Sequence, residues 1–252
     1  MAQIVLDSPD GFRPLQERIR ASTRALCLTG AGLGVGSGLP TFRGDGGIYE
    51  EDGVAAFHHA SALPGSLPRL WAFWGPVRAE VEAAQPNAGH LAIAQWQQTA
   101  GARDCDLTLV TQNVDDLHER AGSPVVWHLH GELCADRCLD ETCTFPRTRD
   151  REPLTSPPSC PVCGGPLRSD MVLFGEHVDV DAQWAAKRAV RTCDLFLAVG
   201  TSGVVAPASG LVRYAADVGA LRICVDPGEV ASPFFDVHIQ MKAEDALPLL
   251  LQ

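Results

Sequence analysis

Five short runs of consecutive apolar residues punctuate the chain, at positions 25–29, 107–111, 125–129, 195–199 and 221–225. Each is bounded by Gly, Asp, Asn or Pro. None shows the in–out alternation of a half-exposed strand, so they read as strands buried on both faces. Between most of them, apolar positions recur with helical spacing. One such stretch opens after Pro86-Asn87 and carries Leu91, Ile93, Ala94 and Trp96; another begins near Pro207 and carries Leu211, Val212 and Tyr214. Strand and helix alternating in this way predict an α/β fold with a doubly wound parallel sheet, whose ligands bind beyond the carboxyl ends of the strands.

Two segments break the alternation. Residues 46–85, rich in Ala, Pro, Trp and Phe, predict a small helical insertion. Residues 134–167 hold clustered cysteines among Pro, Arg and Thr, with little periodicity.

Composition narrows the function classes. The 252 residues, 46% hydrophobic and 20% charged, suffice for one large domain with a smaller one attached. A formal charge of -11 leaves no basic footprint for phosphates, so direct nucleic-acid binding is not expected. No apolar run approaches the ~20 residues of a spanning helix, and the N-terminus lacks the basic flank and apolar core of a secretory signal. The expectation is a cytoplasmic protein with no membrane association. Nine cysteines, an odd number, argue against a disulfide framework. Cys27, Cys105, Cys193 and Cys224 lie in or beside apolar runs and read as core residues, while the other five crowd between positions 134 and 163.

The chemistry sits after the strands. The run at 25–29 leads into a turn, Gly30-Ala31-Gly32-Leu33-Gly34-Val35-Gly36-Ser37-Gly38-Leu39-Pro40-Thr41-Phe42-Arg43-Gly44. Glycines there let a backbone approach a pyrophosphate, Arg43 offers a bidentate cation and Phe42 a cover for a reactive sugar. A flexible loop, with Phe42 in the core and Arg43 on the surface, fits the same residues. After 107–111 comes Gln112-Asn113-Val114-Asp115-Asp116, more amide and carboxylate than one helix cap needs. After 125–129 comes His130-Gly131-Glu132, where an imidazole has room to act as a general base. His58, His59, His118, His128, His177 and His238 read as structural. Cys138-x4-Cys143 and Cys160-x2-Cys163 supply four thiolates for a closed, structural zinc site, with Cys134 as a substitute for Cys143.

Together these segments resemble the sirtuins, NAD-dependent protein lysine deacylases. The resemblance rests on Gly30-Ala31-Gly32 through Pro40-Thr41-Phe42-Arg43, Pro86-Asn87-Ala88-Gly89-His90, Thr111-Gln112-Asn113-Val114-Asp115, His130-Gly131, the four cysteines, Phe174-Gly175-Glu176 and Val199-Gly200-Thr201-Ser202. It implies a Rossmann-like NAD-binding domain from residues 1–45, 86–133 and 168–252. A helical module at 46–85 and a zinc-binding module at 134–167 would form a smaller lobe. By the same resemblance, Gly30, Ala31, Gly32, Pro40, Phe42 and Arg43 line the NAD turn. Gln112, Asn113 and Asp115 hold nicotinamide and its ribose, and Asn113 and Asp115 join His130, the base, in the catalytic set. Gly200, Thr201 and Ser202 contact the adenosine half, with Asp226 near its ribose and Ala243 near adenine. Phe174, Gly175 and Glu176 flank an acyl-lysine protein or peptide, docked as an added strand. The reaction releases nicotinamide and free lysine and leaves the acyl group on ADP-ribose; one zinc is structural.

The chain departs from the family pattern in the NAD turn, where Gly34 and Gly36 replace the usual Ser and Glu, and at Asp226, where Asn is usual. Members that remove succinyl or malonyl groups carry a Tyr and, three residues later, an Arg for the acyl carboxylate. The matching positions are Trp74 and Val77, so an acetyl or longer apolar acyl group is expected, with Arg78 pointing elsewhere on its helix. An ADP-ribosyltransferase or NAD glycohydrolase would share the glycine and polar turns without needing His130 as an acyl-transfer base.

Overall fold

The computed structural model describes residues 3–42, 47–50, 53–149, 154–201, 208–229 and 232–252. The chain opens with strand β1 (Ile4–Leu6), helix α1 (Phe12–Arg20) and strand β2 (Arg24–Thr29), followed by a 3-10 turn over Ala31–Ser37. Helices α2 (Val54–Phe57) and α3 (Leu67–Ala83) form the insertion, and α4 (Ala88–Ala100) follows. Next come β3 (Asp106–Thr111), the short helix α5 (Leu117–Arg120) and β4 (Trp127–His128). Strands β5 (Gly131–Cys138), β6 (Thr148–Arg149) and β7 (Leu167–Met171) lie apart from the main sheet. The chain then returns through α6 (Val180–Val190), β8 (Leu195–Val199), α7 (Ala208–Asp217), β9 (Leu221–Val225), β10 (Val237–Ile239) and α8 (Ala243–Leu250).

Seven parallel strands form the main sheet in the order β1-β10-β9-β8-β2-β3-β4. Alternate side chains feed two cores. Cys27, Leu197 and Ile223 pack with Phe12, Ile93, Trp96 and Leu247 under α1, α4 and α8. Leu26, Phe196 and Cys224 pack with Ala186, Leu211 and Ala215 under α6 and α7. Both faces are covered, which is why the central strands read as unbroken apolar runs. From β2 the chain builds outward through β3 to β4, then returns to build β8, β9 and β10 on the other side. The reversal falls between β2 and β8, and a doubly wound sheet opens its ligand crevice there.

The 125–129 run forms a shorter strand than its sequence predicts. Only Trp127 and His128 pair with β3, and Val125, after Pro124, is 51% exposed. The second sheet, β6-β5-β7, is antiparallel and runs from Gly131 to Met171, wider than 134–167 on each side. Helix α3 packs on it: Trp71 Nε1 donates to Leu167 O (3.0 Å), and buried Arg78 pairs with buried Asp136 (2.9 Å) beneath the Trp71 ring. Among the described residues, no helix is long and apolar enough to cross a membrane.

Candidate active site

The glycine turn lies against the turn that follows β8, backbone to backbone. Gly30 N donates to Val199 O and Gly32 N to Gly200 O, each at 2.9 Å. Gly200 has φ +60°, and a Cβ there would stand 2.2 Å from Leu33 N. Only glycine fits such an approach. Asn87 fixes the turn from the other side. Its Oδ1 caps α4 through Gly89 N (2.9 Å), while its Nδ2 donates to Leu33 O (2.8 Å) and Ser37 Oγ (3.0 Å). One side chain thus starts a helix and anchors the cradle.

At the carboxyl end of β3, Gln112 Nε2 donates to Thr201 Oγ1 (2.9 Å) and bridges to the neighbouring turn. Asn113 is buried and held on three sides. Its N–H donates to Thr111 Oγ1 (3.0 Å), its Nδ2 to Gly30 O (3.2 Å), and its carbonyl accepts from His128 Nδ1 (3.2 Å). Behind it, His118 Nε2 donates to Thr29 Oγ1, which donates to Thr111 Oγ1, each at 2.9 Å. Asn113 Oδ1 has no hydrogen-bond partner among the described residues. A buried acceptor left open in this way suits a ligand hydroxyl or amide. Asp115, two residues on, accepts from Leu117 N (3.1 Å), and burial raises its pKa to about 6.

His130 Nδ1 lies 3.0 Å from Gln112 O. A carbonyl can only accept, so Nδ1 carries the proton and Nε2 is the basic nitrogen. Burial lowers the ring's pKa below the ordinary 6.5, and the bond to Gln112 only partly restores it, so the imidazole is neutral at pH 7.

Seven of the residues singled out from sequence line one cleft of ≈ 350 Å³, counting its open mouth: Ala31, Gly34, Pro40, Phe42, Val77, Asn113 and Asp115. Trp74 lines a second cavity with Leu70, Met171, Leu173, Arg168 and Ser169, and its ring packs 6.3 Å from that of Phe42. Residues 172–174 run between His130 and the insertion: Val172 N donates to His130 O, Phe174 N to His58 O, and Ala60 N to Phe174 O, each at 2.9 Å. Phe174 is 39% exposed. Gly175, at φ +85°, passes over the His59 ring, where a Cβ would approach to 2.8 Å. Glu176 turns inward, accepting from Arg168 Nη2 (3.1 Å) and Leu173 N (2.8 Å), so its carboxylate clamps this strip instead of facing outward.

The sulfurs of Cys138, Cys143, Cys160 and Cys163 all lie within 4.8 Å of one another. Two of the separations are 3.5 Å (Cys138–Cys163) and 3.7 Å (Cys143–Cys160). A tetrahedral four-thiolate zinc, with Zn–S near ~2.3 Å, spaces its sulfurs about 3.8 Å apart, so the four fit one ion. Cys134 is buried with Leu133 and Leu173 in the core beneath the insertion, away from the cluster.

A model of the Sir2 family matches residues 30–207. The chain belongs to the Sir2 family. An NAD-dependent protein deacylase of Ralstonia nicotianae is 41% identical over 246 residues, 96% of this chain and 97% of that one. The NAD-dependent protein deacylase 1 of Pseudomonas aeruginosa is 39% identical, covering 96% of this chain and 98% of its own. The solved Sir2 homologue–NAD complex has a TM-score of 0.86 at 33% identity, covering 99% of this chain and 95% of that chain. A mutant Sir2 homologue in complex with 2'-O-acetyl ADP ribose gives 0.85 at 33% identity, with 95% and 94% covered.

The departures from the usual Sir2 pattern have spatial consequences. A Cβ on Gly36 would stand 2.6 Å from Glu244 Cδ, so a carboxylate from α8 fills the space above the glycine. Gly34 is different: a Cβ there meets only Leu39, at 3.5 Å. Asp226 ends β9, its Oδ1 accepting from Gly228 N (2.9 Å). Ala243 opens α8, buried beside Leu33 and Gly89 on the inner side of the glycine turn. Arg78, committed to Asp136, is turned away from the cleft that Val77 lines. Arg43 and Ser202 lie outside the described residues. His118, read from the sequence as structural, is buried in that role against Thr29, whereas Glu244 and Thr29 went unread because no spacing rule links them to the turns they support.

Proposed function

We propose that this Sir2-family chain is an NAD-dependent protein lysine deacylase acting on acetyl or longer apolar acyl groups. Bound NAD supplies the ribose carbon that loses nicotinamide and the hydroxyl that receives the acyl group. The observation that carries the reading is the convergence of a neutral His130, with Nε2 as its basic nitrogen, and the open acceptor of Asn113 at the carboxyl ends of adjacent strands.

The chain's own groups have separable tasks. Gly30, Ala31 and Gly32 line the NAD turn, which the bare Cα of Gly200 lets close against its neighbour, and Gly200 and Thr201 border the adenosine half. Phe42 closes the cleft over the sugar and excludes water. Asn113 Oδ1 and the Asp115 carboxylate orient the ribose hydroxyls and the carboxamide. His130 Nε2 accepts the proton of the hydroxyl that takes the acyl group. Holding both reactants in line supplies up to ~7–11 kcal/mol of the barrier, so much of the work here is positioning. Phe174 and Gly175 flank the acyl-lysine peptide, and Glu176 stiffens that flank through Arg168. Trp74 and Val77 bound the acyl end, no Arg stands at the Val77 position, and Arg168 beside Trp74 is already paired with Glu176, which disfavours acidic acyl groups. The four-cysteine site would hold one zinc and stabilise the antiparallel sheet.

Mass spectrometry of a reaction with acetyl-lysine peptide and NAD tests the assignment. Stoichiometric nicotinamide, free lysine and O-acetyl-ADP-ribose are expected. ADP-ribosylated protein, or free ADP-ribose with the peptide still acylated, would instead identify a transferase or a glycohydrolase.

A further inference from the structure

A ring cluster lies between the cofactor turn and the peptide strip. Phe42 packs 5.8 Å from Tyr49, and Tyr49 packs 5.3 Å from Phe174. Inside it, His58 meets Trp74 edge-on, centroids 5.3 Å apart. An acyl-lysine that enters past Phe174 and reacts beneath Phe42 must end its acyl group against these rings. Both inner rings are almost wholly buried, His58 at 1% and Trp74 at 2% exposure. Each carries a polar atom with no hydrogen-bond partner among the described residues: Trp74 Nε1 and His58 Nε2. The first can only donate. His58 Nδ1 is engaged with Val54 O at 2.8 Å and must carry the proton there, so Nε2 can only accept. A buried donor and a buried acceptor on neighbouring rings are costly features for a pocket that receives only methyl groups.

We propose that this pocket selects acyl groups bearing a hydroxyl, such as 3-hydroxybutyryl-lysine, with Trp74 Nε1 donating to the hydroxyl oxygen and His58 Nε2 accepting its proton. The proposal rests on the deacylase reading. A hydroxyl is the smallest group that satisfies both atoms at once. A carboxylate offers no proton to His58, and an alkyl group satisfies neither atom. Trp74 also lines the cavity whose apolar wall is Leu67, Leu70, Met171 and Leu173, with Arg168 and Ser169 at its polar side, and the apolar wall receives the remaining carbon of the acyl chain.

The test compares kcat/KM for butyryl-lysine and both enantiomers of 3-hydroxybutyryl-lysine on one peptide, with NAD and the zinc-loaded protein. The better hydroxylated enantiomer is expected to exceed butyryl by about tenfold, mainly through KM. Trp74→Phe and His58→Phe should each shrink that ratio to about twofold or less. Equal or faster butyryl turnover by the unmodified protein would overturn the proposal, and this comparison needs no variant to fold. A ratio that survives Trp74→Phe would overturn it as well. Release of free lysine from none of the peptides would instead reject the deacylase reading, and the proposal with it.

Discussion

Asp115→Asn separates the cost of a buried carboxylate from its use. Burial raises the Asp115 pKa from the ordinary 3.8 to about 6, with Leu117 N–H and His128 opposing the shift and Asp116 and Glu119 adding to it. Because the folded value exceeds the unfolded one, the folded state holds this proton more tightly between those pH values. The stability it lends is complete below about pH 4 and lost as pH rises through about 6. The loss is roughly two pKa units, or about 3 kcal/mol by pH 8, of which about half has already gone by pH 5. Asn keeps the acceptor for Leu117 N–H and carries no charge. The variant should therefore gain stability over the parent by about 1.5 kcal/mol more at pH 8 than at pH 5. Urea unfolding of both proteins at the two pH values, with zinc present throughout, reads this directly. The same variant should lose nearly all deacylation, the trade expected where a site keeps a strained charge for function. A stability difference that is constant with pH, or an Asn variant less stable at pH 8, would show that burial does not destabilise the Asp115 carboxylate.

Other expectations are as direct. Gly34→Ser has room beside Leu39, and its hydroxyl should tighten NAD binding several-fold in isothermal titration; unchanged affinity would contradict the role given to the turn. Cys143→Ser should abolish stoichiometric zinc and loosen the antiparallel sheet, whereas Cys134→Ser should retain the metal, as total metal analysis would show. The acid limb of the kcat/KM profile should lie near pH 6 or below, because burial lowers the His130 pKa from 6.5 and Asp115 titrates at about 6; a limb centred above pH 7 would contradict both assignments.

The readable parts of the fold are those where one physical constraint acts alone. Strands β2, β3, β8 and β9 are buried on both faces and show as apolar runs, and Asn87 announces α4 because capping is local. Strands β1 and β10, three residues each, are too short to stand out. Strand β5 hides for another reason. Its Glu132 and Asp136 are buried, yet their partners, Arg147 and Arg149 for one and Arg78 for the other, are distant in sequence. Charge that is paired only in space looks like loop composition. The site follows the same rule. Gly30, Asn113 and His130 stand at strand ends and could be read, whereas the open atoms of His58 and Trp74 exist only once three segments meet.

The role proposed for His130 is to drive transfer of the acyl group onto bound ADP-ribose. Its most direct test is single-turnover release of free lysine from preformed complexes with NAD and acetyl-lysine peptide, comparing the parent with His130→Ala. A slowing of at least ~100-fold, the usual contribution of a positioned base, is expected, with NAD affinity changed by no more than about twofold. Equal release rates in the two proteins would contradict it.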